Sequence, residues 1–157
     1  MTTLLMHDLF SCDSITLSQN PIGDNGLREL LVGLKQLKSR GIGLHLVELN
    51  LSSTELTDIS LHLIALQYVQ ASDASFFIAH SPDDSLLQAN PHKSHLRSLY
   101  LTANHLLLAR PVATFLGSAI SGSASTLRCL SLTNNAIGTD GLLSLLQALR
   151  LSDGPSS

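Results

Sequence analysis

Charge is scarce in this chain. Only 13% of its 157 residues are Asp, Glu, Lys or Arg, about half of the ~25% usual in soluble domains. No run of Lys or Arg occurs, and the net charge is −3. A nucleic-acid surface needs a basic stripe, and an acidic membrane needs a basic cluster, so neither partner is expected. Tryptophan is absent and aromatic residues make up 4%, which leaves an aliphatic core. No apolar run reaches the roughly 18 residues of a spanning helix. The opening MTTLLMHDLF has no basic flank, and His7 and Asp8 interrupt it, so it reads poorly as a secretory signal. The two cysteines, Cys12 and Cys129, lie far apart and form no metal or redox motif. A reduced, cytoplasmic protein is the expectation.

What the chain does have is leucine, 35 residues of it, with 22 serines as the polar counterpart. That composition suggests a repeat, and four segments align. They begin at Cys12, Leu46, Leu96 and Leu127 and follow L-x-x-L-x-L-x-x-N-x-L, with Cys12 in one Leu slot and Thr54 in one Asn slot. The ninth positions are Asn20, Thr54, Asn104 and Asn135. A leucine-rich helix would space its leucines by three and four. Here the spacing is three, two and five.

The L-x-L pair reads as a short strand that turns both leucines to one face. The Asn amide then bonds backbone groups where the strand ends. Asn20, Asn104 and Asn135 are thus structural. A helix follows. After Ile22 come Gly26, Leu27, Leu30, Leu31 and Leu34, and after Ile137 come Gly141, Leu142, Leu145, Leu146 and Leu149. Thr57 or Asp58 can cap a second helix carrying Leu61, Ile64, Leu66 and Val69. Pro111 suits the first turn of a third, with Phe115, Leu116 and Ile120 inward. One strand–turn–helix unit cannot bury its own face, so the units must stack.

These LxLxxN cores, and the Ile-Gly-x-x-Gly-Leu stretches at Ile22–Leu27 and Ile137–Leu142, resemble the leucine-rich repeat family. The closer likeness is to its ribonuclease-inhibitor-like subclass, as in Ran GTPase-activating proteins and NOD-like receptors. The resemblance implies an α/β fold. It would be a right-handed leucine-rich-repeat solenoid, a horseshoe arc with a parallel concave sheet and convex helices. It also implies binding of another protein by the concave sheet or its rim. The chain departs from the pattern in three ways. Ser60 and Arg110 replace the glycines at 26 and 141, so the turns should differ. The ninth positions are 34, 50 and 31 residues apart, which requires insertions. Neither end carries a clear polar cap, although Thr3–Phe10 could form a capping helix, and end-to-end self-association is a further possibility. The domain is read as residues 1–151, with an insertion at about 72–95 and a disordered tail at 152–157.

The residues flanking the strand leucines should face the concave side. Glu48, Asn50, Ser98, Tyr100, Thr102 and Ser131 are the candidate contact residues. Tyr100 is the best anchor, because a tyrosine adds area and a hydrogen bond at low entropy cost. Phe76 and Phe77 in the insertion are weaker candidates: the segment reads either as a packed loop or as a partner-binding one. His92 and His95 have H-x-x-H spacing, but Pro91 disfavours a helix there and no third ligand stands nearby. No metal is expected. No Gly-x-Ser-x-Gly or phosphate-cradling loop occurs, so neither catalysis nor a cofactor is expected. Two functions stay open. One is a non-catalytic interaction module or scaffold. The other is a regulator of an enzyme, of GTPase-activating or inhibitor type, for which an arginine at the rim, Arg110, would be the group to supply.

Overall fold

The computed structural model describes residues 12–39, 45–69, 95–122 and 125–150. The chain runs through β1 (Ser14–Thr16), α1 (Gly23–Ser39), β2 (Glu48–Asn50) and α2 (Asp58–Ile64). A π-helical turn, Ala65–Val69, extends α2. Then come β3 (Ser98–Tyr100), α3 (Arg110–Ser121), β4 (Cys129–Ser131) and α4 (Thr139–Arg150). The strands form one parallel sheet in chain order. Its register sets Ile15, Leu49, Leu99 and Leu130 side by side. Four strand–turn–helix units are therefore stacked in step, as the repeat demands.

Strands of three residues have little ladder of their own. The ladder continues past each strand: the N–H groups of Leu17, Leu51 and Leu101 donate to the carbonyls of Asn50, Tyr100 and Ser131 at 2.8–2.9 Å. Two residues on, Gln19, Ser53 and Ala103 donate to Ser52, Thr102 and Thr133. The chain then has to turn, and it does so at one repeated place. Gln19, Ser53, Ala103 and Asn134 each have φ between 53° and 64°. Each directly precedes the ninth residue of its unit. None is glycine, so each pays the cost of left-handed backbone, about 1–2 kcal/mol.

The core is leucine, as composition requires. Leu49, Leu51, Leu56, Leu99, Leu101 and Leu106, from units two and three, are fully buried. Full burial of a leucine side chain contributes ~1.5–3 kcal/mol. The same positions in the outer units, Ile15, Leu17, Ile22, Leu130, Leu132 and Ile137, are only partly buried. A unit that is sandwiched buries both flanks; an end unit buries one.

Two expectations change and one open choice is settled. The second helix does not run regularly to Val69 but widens into the π-helical turn at Ala65. Thr57, not Asp58, is its N-cap, its hydroxyl accepting from Ile59 N–H at 3.3 Å. In α4, Leu145 is buried, but Leu142 and Leu146 are 48% and 43% exposed, because no described unit follows them. The turns do differ between units, at a position other than the replaced glycines. Gly23 adopts φ 60° in unit one, whereas Glu55 and Leu108 take the left-handed residue in units two and three. The proposed cap at Thr3–Phe10, Phe76 and Phe77 with nearly all of the 72–95 insertion, and the 152–157 tail lie outside the described residues.

Candidate interaction face

Within each central strand the leucine points into the core and its two neighbours point away from it. Glu48 and Asn50 flank Leu49, and Ser98 and Tyr100 flank Leu99; all four flanking residues are half-buried, both leucines fully so. The register gathers these side chains into rows. Ser14, Glu48, Ser98 and Cys129 form one row, and Thr16, Asn50, Tyr100 and Ser131 the next. Thr102 and Thr133 continue the face just beyond the strands.

Hydrogen bonds knit part of this face. Ser14 Oγ donates to Glu48 Oε1 at 3.2 Å. Asn50 Oδ1 accepts the N–H of Ser52 at 3.1 Å. Thr102 Oγ1 lies 2.9 Å from Ser131 Oγ and 3.0 Å from Thr133 Oγ1, and the latter two are 3.2 Å apart. Three hydroxyls thus bond one another and form a neutral patch. Tyr100, beside Ser131 in the register, is half-buried, and its hydroxyl has no partner among the described residues. Cys129 is an exposed free thiol, and Cys12 a half-buried one whose Sγ donates to Ser14 O at 3.3 Å.

Two of the ninth-position residues, Asn104 and Asn135, also bond the unit before them. Asn104 Nδ2 donates to Leu101 O of its own unit and to Leu51 O of the preceding one, and its Oδ1 accepts from Thr54 and Leu56 N–H at 3.0 Å. Asn135 repeats the pattern one unit later, donating to Leu132 O and Leu101 O and accepting from Asn104 and Leu106 N–H at 3.1 Å. Asn20 donates to Leu17 O and Ser18 O of its own unit.

Two acidic residues also cross unit boundaries, a feature the sequence reading missed. Asp58 Oδ1 accepts from Leu107 and Leu108 N–H at 3.0 and 2.9 Å, and Oδ2 from Ala109 N–H at 2.6 Å, just where α3 begins. Asp24 does the same for α2, accepting from the N–H and hydroxyl of Thr57 and from the hydroxyl of Ser60. Partial burial pushes the Asp24 carboxyl up. The bonds from Ser60 and Thr57 together outweigh it and hold the group below its ordinary value. The sequence signal was an acid four residues after the ninth position in both units.

Among the described residues, the histidines are in ring contacts or at the surface. His62 stacks on Phe115 with ring centroids 4.4 Å apart. His95 pairs edge-on with His45 at 5.0 Å, while His92 lies outside the described residues. Among the described residues, no group of three or more His, Cys, Asp or Glu could hold a metal ion, and no helix is long and apolar enough to cross a membrane. Arg110 stands exposed at the start of α3.

A family model described as Leucine Rich repeat matches residues 14–31, 44–65 and 123–146. Units one, two and four carry those matches, and the third joins the same sheet in register although no match covers it. No curated protein matches the chain. The matched repeats support a leucine-rich repeat family, and the α/β fold, a four-stranded parallel sheet with four helices, is consistent with a leucine-rich-repeat solenoid.

Proposed function

We propose that this chain is a non-catalytic scaffold that holds another protein through the helix-free face of its sheet, around Tyr100 and Glu48. Leucine-rich repeats generally mediate protein–protein interaction. The choice of face rests on a half-buried Tyr100, whose hydroxyl has no partner among the described residues, beside the mutually bonded hydroxyls of Thr102, Ser131 and Thr133. A neutral patch whose hydroxyls already bond one another costs little to desolvate on docking, and a tyrosine beside it offers area and a hydrogen-bonding hydroxyl. Asn50, Ser98 and Glu48 complete the surface. The regular helices α1, α3 and α4 on the other side favour the ribonuclease-inhibitor-like subclass. The two free thiols, Cys12 and Cys129, at opposite edges of the sheet, suit a reducing cytoplasm.

The test is affinity capture from the native source with three baits: wild type, a Tyr100→Ala/Glu48→Ala double variant, and Arg110→Ala. A protein lost from the double variant and kept by Arg110→Ala supports the sheet face. A GTPase lost from Arg110→Ala alone moves the function to the regulator reading.

A further inference from the structure

A strand alternates its side chains between two faces, so two consecutive residues outside the core need a break in that alternation. The sheet has one just after the first leucine of each unit. Val47 and Glu48 both donate their N–H groups to Asp13 O, Arg97 and Ser98 both to Val47 O, and Arg128 and Cys129 both to Arg97 O, at 2.8–3.0 Å. Two residues share one rung, and neither turns inward. Arg97 is exposed and Ser98 half-buried, while Leu96 and Leu99 on either side are fully buried. Arg128 and Cys129 are both exposed.

These rungs stack a row of their own, Asp13, Val47, Arg97 and Arg128. Arg97 and Arg128 are therefore direct neighbours, about 4.8 Å apart at the backbone, although a whole repeat separates them in sequence. Like charges side by side on neighbouring strands are unfavourable, and no acid among the described residues offsets them. Arg97 has no side-chain partner there, and Arg128 gives one bond, from Nη1 to Leu127 O at 3.0 Å. Glu48, one strand from Arg97, takes Ser14 Oγ at 3.2 Å on the far side of its own strand. Asp13 lies two strands away. The exposure of the pair does not come from an end of the sheet. Arg97 has β2 on one side and β4 on the other and is exposed all the same; Arg128 repeats its position.

The row also selects the ligand. Beyond Arg97 it continues with Val47 and Asp13, so no track of cations exists for a polyanion to follow, and the net charge of −3 opposes one. Two guanidinium groups side by side fit one compact anion, and their planar forks match a carboxylate. Tyr100 stands on the same strand as Arg97, three residues on, which is about 10 Å of extended chain. A partner that covers Tyr100 brings its own charges within reach of the pair.

We propose that Arg97 and Arg128 jointly hold an Asp or Glu side chain of the partner protein, in a segment that also covers Tyr100. This rests on the reading that the partner sits on this face, and it adds the partner's chemistry: an acidic segment, its carboxylate about three extended residues from the group on Tyr100.

The test is fluorescence anisotropy of the full chain with labelled hexaglutamate at low salt, beside labelled hexalysine and an oligothymidylate of equal length. The variants are Arg97→Gln, Arg128→Gln and the reversed pair Arg97→Glu/Arg128→Glu, with circular dichroism to confirm folding. Wild type should bind hexaglutamate, less tightly as salt is raised. Each single variant should bind it about tenfold more weakly. The reversed pair should lose hexaglutamate and take hexalysine, a gain that misfolding cannot produce. Wild type that ignores hexaglutamate, or glutamine variants that bind it equally well, overturn the proposal. So does tighter binding of the oligothymidylate, which would make the ligand a nucleic acid. So does a tighter hold on hexaglutamate by Asp83→Asn/Asp84→Asn, which would mean that the chain's own acids occupy the pair. Affinity capture with an added Arg97→Gln/Arg128→Gln bait separates the carboxylate from the choice of face. A partner lost from Tyr100→Ala/Glu48→Ala but kept by the arginine variant retains the face and overturns the carboxylate contact. A partner kept by both overturns the face, and the contact with it.

Discussion

Gly141, in the first turn of α4, lies against the backbone of Leu108 in the preceding unit so closely that a Cβ at 141 would stand 2.0 Å from the Leu108 carbonyl oxygen. Backbone cannot step aside as a side chain can. Gly141→Ala should therefore push α4 off unit three and destabilise the fold by about 2–3 kcal/mol, in the range of overpacking. Gly33→Ala is the control: it has open space at the Cβ and should raise stability by roughly 0.5–1 kcal/mol. Urea midpoints at unchanged slope would report both. Equal effects from the two would refute the close approach.

The asparagines should differ sharply in cost although they occupy one sequence position. Asn104 serves the carbonyls of Leu51 and Leu101 and the N–H groups of Thr54 and Leu56, all at buried sites. Asn104→Ala strands these groups, and each unsatisfied buried group costs ~1–3 kcal/mol, so a loss of about 3 kcal/mol or more is expected. Asn20 is exposed and bonds only carbonyls of its own unit in the structure. Asn20→Ala should cost roughly 1 kcal/mol. Thermal or urea unfolding of both variants checks the ratio.

Much of this architecture was legible because a repeat writes each contact several times. The L-x-L pairs gave the buried stripe, and the Asn slot gave the turn, down to its amide bonds. The glycines were harder. Gly26 and Gly141 look like copies, yet a Cβ at 26 would meet the side chain of Ile22 in its own turn, and one at 141 meets the neighbouring unit. Sequence alignment within the chain cannot separate those reasons. Asp58 was read only as an alternative cap of its own helix, and Asp24 carried no reading, because the register that sends both across the boundary exists only after stacking. Leu142 and Leu146 have the same helical spacing as Leu145 and Leu149. Only the absence of a described unit beyond α4 separates exposed from buried.

Asp24 makes stability depend on acid. Its carboxyl is held below its ordinary value in the fold, so its contribution is fully present above the unfolded carboxyl's value of ~3.9 and is lost as pH falls through the lower folded value. Asp24→Asn should be less stable than wild type at neutral pH, and the gap should close as pH is lowered below about 4. Unfolding midpoints of the two proteins along a pH series measure this. A gap constant with pH would mean that shape, and not charge, holds Thr57 and Ser60.

The left-handed turn residues give the last prediction. Ala103 has φ 54° and an exposed side chain, so substitutions there change backbone strain with little change in packing. Ala103→Gly removes a left-handed penalty of about 1–2 kcal/mol and adds roughly 0.4–1 kcal/mol of unfolded-state entropy. The net should be neutral or stabilising by up to ~1 kcal/mol. Ala103→Val sets a β-branched residue in the same conformation, where it is a steric outlier, and should destabilise by about 1–2 kcal/mol. Differential calorimetry of the pair reads the difference. If glycine proves as costly as valine, the side chain at 103, and not its backbone angle, is what the turn requires; if the two diverge in the expected order, the same substitution at Gln19 and Ser53 should repeat the result unit by unit, because the strain recurs with the repeat.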